Sequence, residues 1–202
     1  RLADLELLDT WSSDSRKKDV TDVGDMLLAA LGQREPLSYI CDLVQLRADP
    51  NATPWDESCP EINRAPPLLH AAERGSLHHL EMLISCGADP NAPCFRGQTA
   101  LHRVAARPEG KVQPERLVGL LCHAGAALDA RAADGSTPLH VACAIGKPQA
   151  VRALLLYGAD ATLRDGRGGC CLLLAVNRND AQCCKALLAG FADPCEEAKD
   201  GL

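Results

Sequence analysis

Apolar residues in this chain arrive in short bursts separated by polar and glycine-rich intervals, and the bursts repeat. Four of them read Pro66-Pro-Leu-Leu-His-Ala-Ala72, Thr99-Ala-Leu-His-Arg-Val-Ala105, Thr137-Pro-Leu-His-Val-Ala-Cys143 and Cys170-Cys-Leu-Leu-Leu-Ala-Val176. Their first residues lie 33, 38 and 33 positions apart. A second burst keeps step with the first: Leu83-Ile-Ser-Cys-Gly-Ala-Asp-Pro-Asn91, Leu120-Leu-Cys-His-Ala-Gly-Ala-Ala-Leu-Asp129, Leu154-Leu-Leu-Tyr-Gly-Ala-Asp-Ala-Thr162 and Leu187-Leu-Ala-Gly-Phe-Ala-Asp-Pro-Cys195.

The best-formed copy shows what each burst predicts. Thr137 can cap a helix, Pro138 suits a first turn where a missing N–H costs nothing, and Leu139 and Ala142 share the inward side. That helix should end near Gly146. Ala150, Val151, Leu154 and Leu155 then recur at helical spacing, which predicts a second, antiparallel helix. Gly158 offers the left-handed stop, and Asp165-Gly-Arg-Gly168 the turn of an extended finger. A unit of finger, helix and helix cannot bury both faces of its helices alone, so stability must come from stacking on neighbours.

The period and the Thr-Pro-Leu-His signature resemble the ankyrin repeat. The resemblance covers about residues 25–202 and implies an all-α solenoid of helix-turn-helix pairs with β-hairpin-like fingers. A degenerate first repeat holds residues 25–52, with Met26-Leu-Leu-Ala-Ala30 as its first helix and Leu43-Val-Gln-Leu-Arg-Ala-Asp-Pro-Asn51 as its close. Further copies are expected at about 66–92, 93–130, 131–163 and 164–195, with the start of a sixth at 196–202. Residues 1–24 fit no repeat; Leu2, Leu5, Leu7 and Leu8 suit a helical cap, followed by a polar linker around Ser12, Ser13 and Ser15. The chain opens on Arg1 and closes where another copy would begin, so it reads as a piece of something longer.

Two copies depart from the period. The third spans 38 residues in place of 33, and Pro108, Gly110 and Pro114 place the extra five between its helices. Between Asn51 and Pro66 the finger is seven residues longer than its counterpart from Asn91 to Thr99. Long loops in compact arrays often carry function.

Composition sharpens this picture. Only 3% of the residues are aromatic and 47% are hydrophobic, which suits thin layers of small aliphatic side chains better than one large core. The longest apolar run, from Cys170 to Val176, is far below the roughly 20 residues a spanning helix needs. A net charge of −6 disfavours nucleic acid and anionic lipid as general partners. The 11 cysteines sit mostly in aliphatic runs, as free thiols behave in a reducing compartment, so a cytoplasmic or nuclear location is expected.

No catalytic, metal or cofactor site emerges. His102 and His140 occupy the fourth signature slot, where the resemblance implies a structural role. The pairs Cys170-Cys171 and Cys183-Cys184 lack the Cys-x2-Cys spacing that turns two sulfurs toward one ion. Gly166-Arg-Gly-Gly169 lacks the lysine and hydroxyl of a phosphate loop.

The positive signal lies in the variable slots of the finger and the first helix, which the resemblance implies form a concave binding surface. Eight positions beyond the first signature slot stand Arg74, Arg107, Ile145 and Arg178; three before it, Arg96, Asp134 and Arg167; six before it, Pro93, Arg131 and Arg164. Seven of the chain's 15 arginines thus fall in these slots, whereas the acids between residues 66 and 178 in the same slots and the one seven positions on are two, Glu73 and Asp134, although the rest of the chain is acidic. A guanidinium can clamp a carboxylate or phosphate with two parallel bonds. Phe95 and Ile145 add apolar anchors. The expected function is a monomeric, non-catalytic interaction module that binds an acidic or phosphorylated segment of a protein, with no nucleic acid or membrane partner. Roles that fit are an adaptor or substrate receptor of a ubiquitin ligase, a regulator of a transcription factor or kinase, or the targeting part of an enzyme.

Overall fold

The computed structural model describes Leu27, Ala30 and residues 36–53, 65–108 and 112–191. The expected cap over 1–24, most of the long finger after Asn51 and the start of a sixth copy lie outside the described residues. Nine helices are bounded within them: α1 Leu37–Gln45, α2 Pro67–Arg74, α3 Leu77–Ser85, α4 Ala100–Ala106, α5 Pro114–His123, α6 Pro138–Ile145, α7 Pro148–Leu156, α8 Cys171–Asn177 and α9 Ala181–Phe191. The result is an all-α solenoid. Each first helix packs on the first helices beside it, α2 on α4, α4 on α6 and α6 on α8, and the second helices stack likewise. Leu27 and Ala30, in the first helix expected of the degenerate copy, are helical and fully buried.

The core is as thin as the composition implies. Among the described residues the largest fully buried apolar side chains are leucines, including Leu68, Leu101, Leu139 and Leu154. Each contributes about 2 kcal/mol by leaving water, and in such an array a repeat packs only on its immediate neighbours.

Turn chemistry decides where each first helix ends. Gly75 and Gly146 adopt φ of 67° and 78°, and Asn179 takes the same slot at 55°. Such left-handed residues reverse the chain directly into the second helix. The third copy has Pro108 in that slot. Its ring forbids positive φ and pushes Arg107 into extended backbone, at φ −62° and ψ 139°. The extra residues therefore fall between α4 and α5. Pro114 opens α5 and does not belong to the loop.

The fingers are fastened by backbone. Within them Ala132 N donates to Ser136 O at 2.9 Å and Asp165 N to Gly169 O at 2.9 Å; between them Ala133 N donates to Arg96 O at 3.0 Å and Gly166 N to Asp134 O at 3.1 Å. They form no strand among the described residues, only an isolated antiparallel bridge between Arg164 and Cys170. At the finger bases a side-chain ladder runs at the repeat period. Asn51 Oδ1 accepts from Asp89 N at 2.7 Å, Asn91 Oδ1 from Ala127 N at 2.7 Å, and Asp129 Oδ1 from Asp160 N at 3.0 Å.

Candidate interaction surface

Thr99 and Thr137 start α4 and α6, and the histidine three residues on closes each cap. His102 Nδ1 accepts from Thr99 N at 3.2 Å while Nε2 lies 3.1 Å from Ser136 O in the next finger. His140 repeats this with Thr137 N at 3.4 Å and Gly169 O at 3.2 Å. Each imidazole thus ties its own helix to the following finger. Burial lowers the His102 pKa below the usual imidazole value.

The described cysteines are free thiols, and no group of histidine, cysteine or acid among the described residues could hold a metal ion. Burial pushes the Cys41 thiol up to about 12, beside Asp42. Cys143 is pushed up and Cys171 drawn down by the hydrogen bond they share across the α6–α8 contact.

The arginines of the variable slots differ in how they are held. Arg131 Nη1 donates to Gly135 O at 3.0 Å and to Arg164 O at 2.8 Å, so one guanidinium nitrogen pins its own finger turn and the next finger. Arg164 Nη1 repeats the first of these bonds with Gly168 O at 2.9 Å. Arg178 Nη1 reaches Ala144 O at 3.3 Å, one repeat back. Arg107 is half-buried, and its Nη1 donates to Val112 O at 3.1 Å across the inserted loop. Arg74, in the last turn of α2, and the finger residues Arg96 and Arg167 are exposed, as is Phe95 at 63% of its surface.

Ile145 and Arg167 meet in a cavity of about 260 Å3 between α6, α8 and their two fingers. Val141, Ala144 and Leu174 complete its apolar walls, and Asp134 and Asp165 stand at its edge. Ser136 donates to Asp134 Oδ1 through its N–H at 3.0 Å and its hydroxyl at 2.6 Å, which holds that carboxyl below its usual pKa. Asp165 Oδ1 accepts from Arg167 N at 2.9 Å and Gly169 N at 2.7 Å. Asp165 stands outside the slots used to weigh charge in the sequence, so this stretch is less positive than that balance implied.

Sequence reasoning also passed over the slot four positions beyond the first signature residue. It holds His70, Arg103, Val141 and Leu174. All four lie on first helices, and the signal that finds them is the same register that found the others.

Stacked first and second helices with fingers between successive pairs define a repeat scaffold. The chain belongs to the ankyrin repeat family: residues 64–94 match the ankyrin repeat and residues 104–198 match ankyrin repeats in three copies. Ankyrin repeats are protein–protein interaction modules.

Three relatives illustrate the range. A protein of Danio rerio that carries the name palmitoyltransferase ZDHHC13 is 32% identical over 142 residues, 70% of this chain and 21% of that protein. The human SH3 and multiple ankyrin repeat domains protein 1 is 35% identical over 122 residues, 59% of this chain and 6% of that protein. The mouse ankyrin repeat and SOCS box protein 16 is 36% identical over 105 residues, 50% of this chain and 23% of that protein. The chain therefore spans less than a quarter of each of these relatives. No helix among the described residues is long and apolar enough to cross a membrane.

Proposed function

We propose that this chain is a non-catalytic module that captures an acidic or phosphorylated segment of a partner protein along its fingers and first helices, with Arg74, Arg96, Arg131, Arg164, Arg167 and Arg178 as clamps. The observation that carries the reading is the fixing of Arg131: one nitrogen is spent on two backbone carbonyls, so the fork is already oriented, and the residue remains exposed. Pre-orientation of this kind lowers the entropy cost of binding. Likeness to a SOCS box protein supports a role as adaptor or substrate-recruiting part of a larger protein, in a ubiquitin ligase for example.

A second reading, control of a transcription factor, is favoured by a match of 41% identity over 58 residues to human NF-kappa-B inhibitor epsilon.

The test is capture of partners from a cell lysate, followed by affinity measurement on the partner identified. The double substitution Arg131→Glu with Arg164→Glu is expected to weaken binding by at least about tenfold, since each reversal replaces an attraction by a repulsion. Because these two also brace fingers, Arg74→Glu with Arg167→Glu serves beside them and should act without a change in thermal stability. Affinity unaltered by both pairs would overturn the reading.

A further inference from the structure

The slot that the sequence reading passed over changes character halfway along the array: His70 and Arg103 in the first two well-formed copies, Val141 and Leu174 in the last two. On the basic side, Arg103 is half-buried and its Nη2 turns to the Cys94 thiol, 3.7 Å away. Arg103 Nε and His70 Nε2 are both buried with no hydrogen-bond partner. A half-buried guanidinium with one N–H sealed from water and unpaired gains when an anion arrives, and Glu73 on the exposed side of α2 is the carboxylate of this patch that such an anion would meet. Arg74, one turn beyond His70 on α2, adds a second, exposed positive charge. On the apolar side lies the 260 Å3 cavity walled by Ile145 and Leu174. It falls short of the roughly 300–1,000 Å3 of a small-molecule cleft and is of side-chain size. Asp134 and Asp165 line it together with Arg167, so the cavity itself carries no excess of positive charge and favours an uncharged side chain, while the neighbouring clamps stay outside it.

We propose that the surface reads a bipartite peptide: a pair of Asp or Glu residues over Arg103 and Arg74, and one large aliphatic or aromatic side chain in the cavity between Ile145 and Leu174. This rests on the functional reading above and narrows it. Carboxylate suits the basic end better than phosphate, because a half-buried seat with few donors compensates one charge per group and would strip more water from a dianion. The two ends are two repeats apart. Helices packed about 8–10 Å from one another place them about 16–20 Å apart, which an extended chain at about 3.3 Å per residue crosses in five or six residues.

The test is selection of random 12-residue peptides displayed on phage against the 202-residue chain, with the enriched peptides then synthesised. Affinity is measured for the unaltered chain and for Arg74→Glu, Arg103→Gln and Ile145→Asp, with circular dichroism as the check on folding. Enriched peptides should carry an acidic pair five or six residues from Leu, Ile, Met, Phe or Trp. Arg74→Glu should cost at least about tenfold, less so at high salt, and Ile145→Asp a similar factor that salt does not relieve. Peptides that are acidic but lack the spaced anchor, and whose binding Ile145→Asp leaves intact, overturn the bipartite site and spare the broader reading. No enrichment overturns the bipartite site, and enrichment that none of the folded variants affects overturns both.

Discussion

His102 shows how a residue that invites a catalytic reading is consumed by architecture. Its Nδ1 takes the Thr99 N–H and its Nε2 faces the Ser136 carbonyl, so the neutral ring is fully used and a second proton would displace a bond. With the folded pKa below the ordinary value near 6.5, the unfolded chain takes up the proton first. Stability from this group is therefore complete above about pH 6.5 and is lost as pH falls below it. Half-buried His70, lowered by desolvation, acts in the same direction, whereas for His140 the lowering effect of burial is outweighed by its contacts with Cys171 and the Gly169 carbonyl, so it is raised and acts in the opposite one. Replacing His102 by Gln isolates the effect. The variant should be about 1–2 kcal/mol less stable at pH 7.5 by urea unfolding, yet decline less than the parent between pH 6.5 and 5. The signature slot made this role legible from sequence. The bracing by Arg131 was not, because its acceptor, the Arg164 carbonyl, lies 33 positions away and belongs to backbone that no side-chain pattern encodes.

Among the elements, fingers and turns carry the instructions that fix the stack. Gly135 sits at φ 74°, and a Cβ there would stand 2.6 Å from Gly166 N in the next finger; Gly158 has φ 92° and nothing within 4 Å. Gly158→Ala should thus cost only the conformational penalty, about 1 kcal/mol, while Gly135→Ala should cost about 2 kcal/mol or more by chemical denaturation, since a backbone contact must also part. Helices and their order were readable because Thr, Pro, Leu and Gly recur at fixed offsets. The loss of the left-handed turn at Pro108 follows from ring geometry once the slot is recognised, and the sequence did place the extra residues between the two helices. What the pattern could not supply was Arg107 folding back over that loop to Val112, or the meeting of Ile145, Leu174 and Arg167 around one cavity. Those depend on distances between copies, not on register within one.

For the whole molecule, stability is a chain of neighbour contacts rather than one core. Leu139 is fully buried at the centre of the described array, and Leu139→Ala should cost about 2–5 kcal/mol and loosen cooperation between the two halves in unfolding curves. Leu173 occupies the slot that His140 fills one repeat earlier, but half of it is exposed, so Leu173→Ala should change stability by no more than about 0.5 kcal/mol. The bonds from Ala133 N to Arg96 O and from Gly166 N to Asp134 O tie successive fingers together. One helix spacing of about 8–10 Å nearly equals one turn of a polyproline II chain, three residues at about 3.1 Å each. A chain laid along the array in that form would meet successive repeats with every third side chain, and a single residue added to it would slip all that follow out of phase.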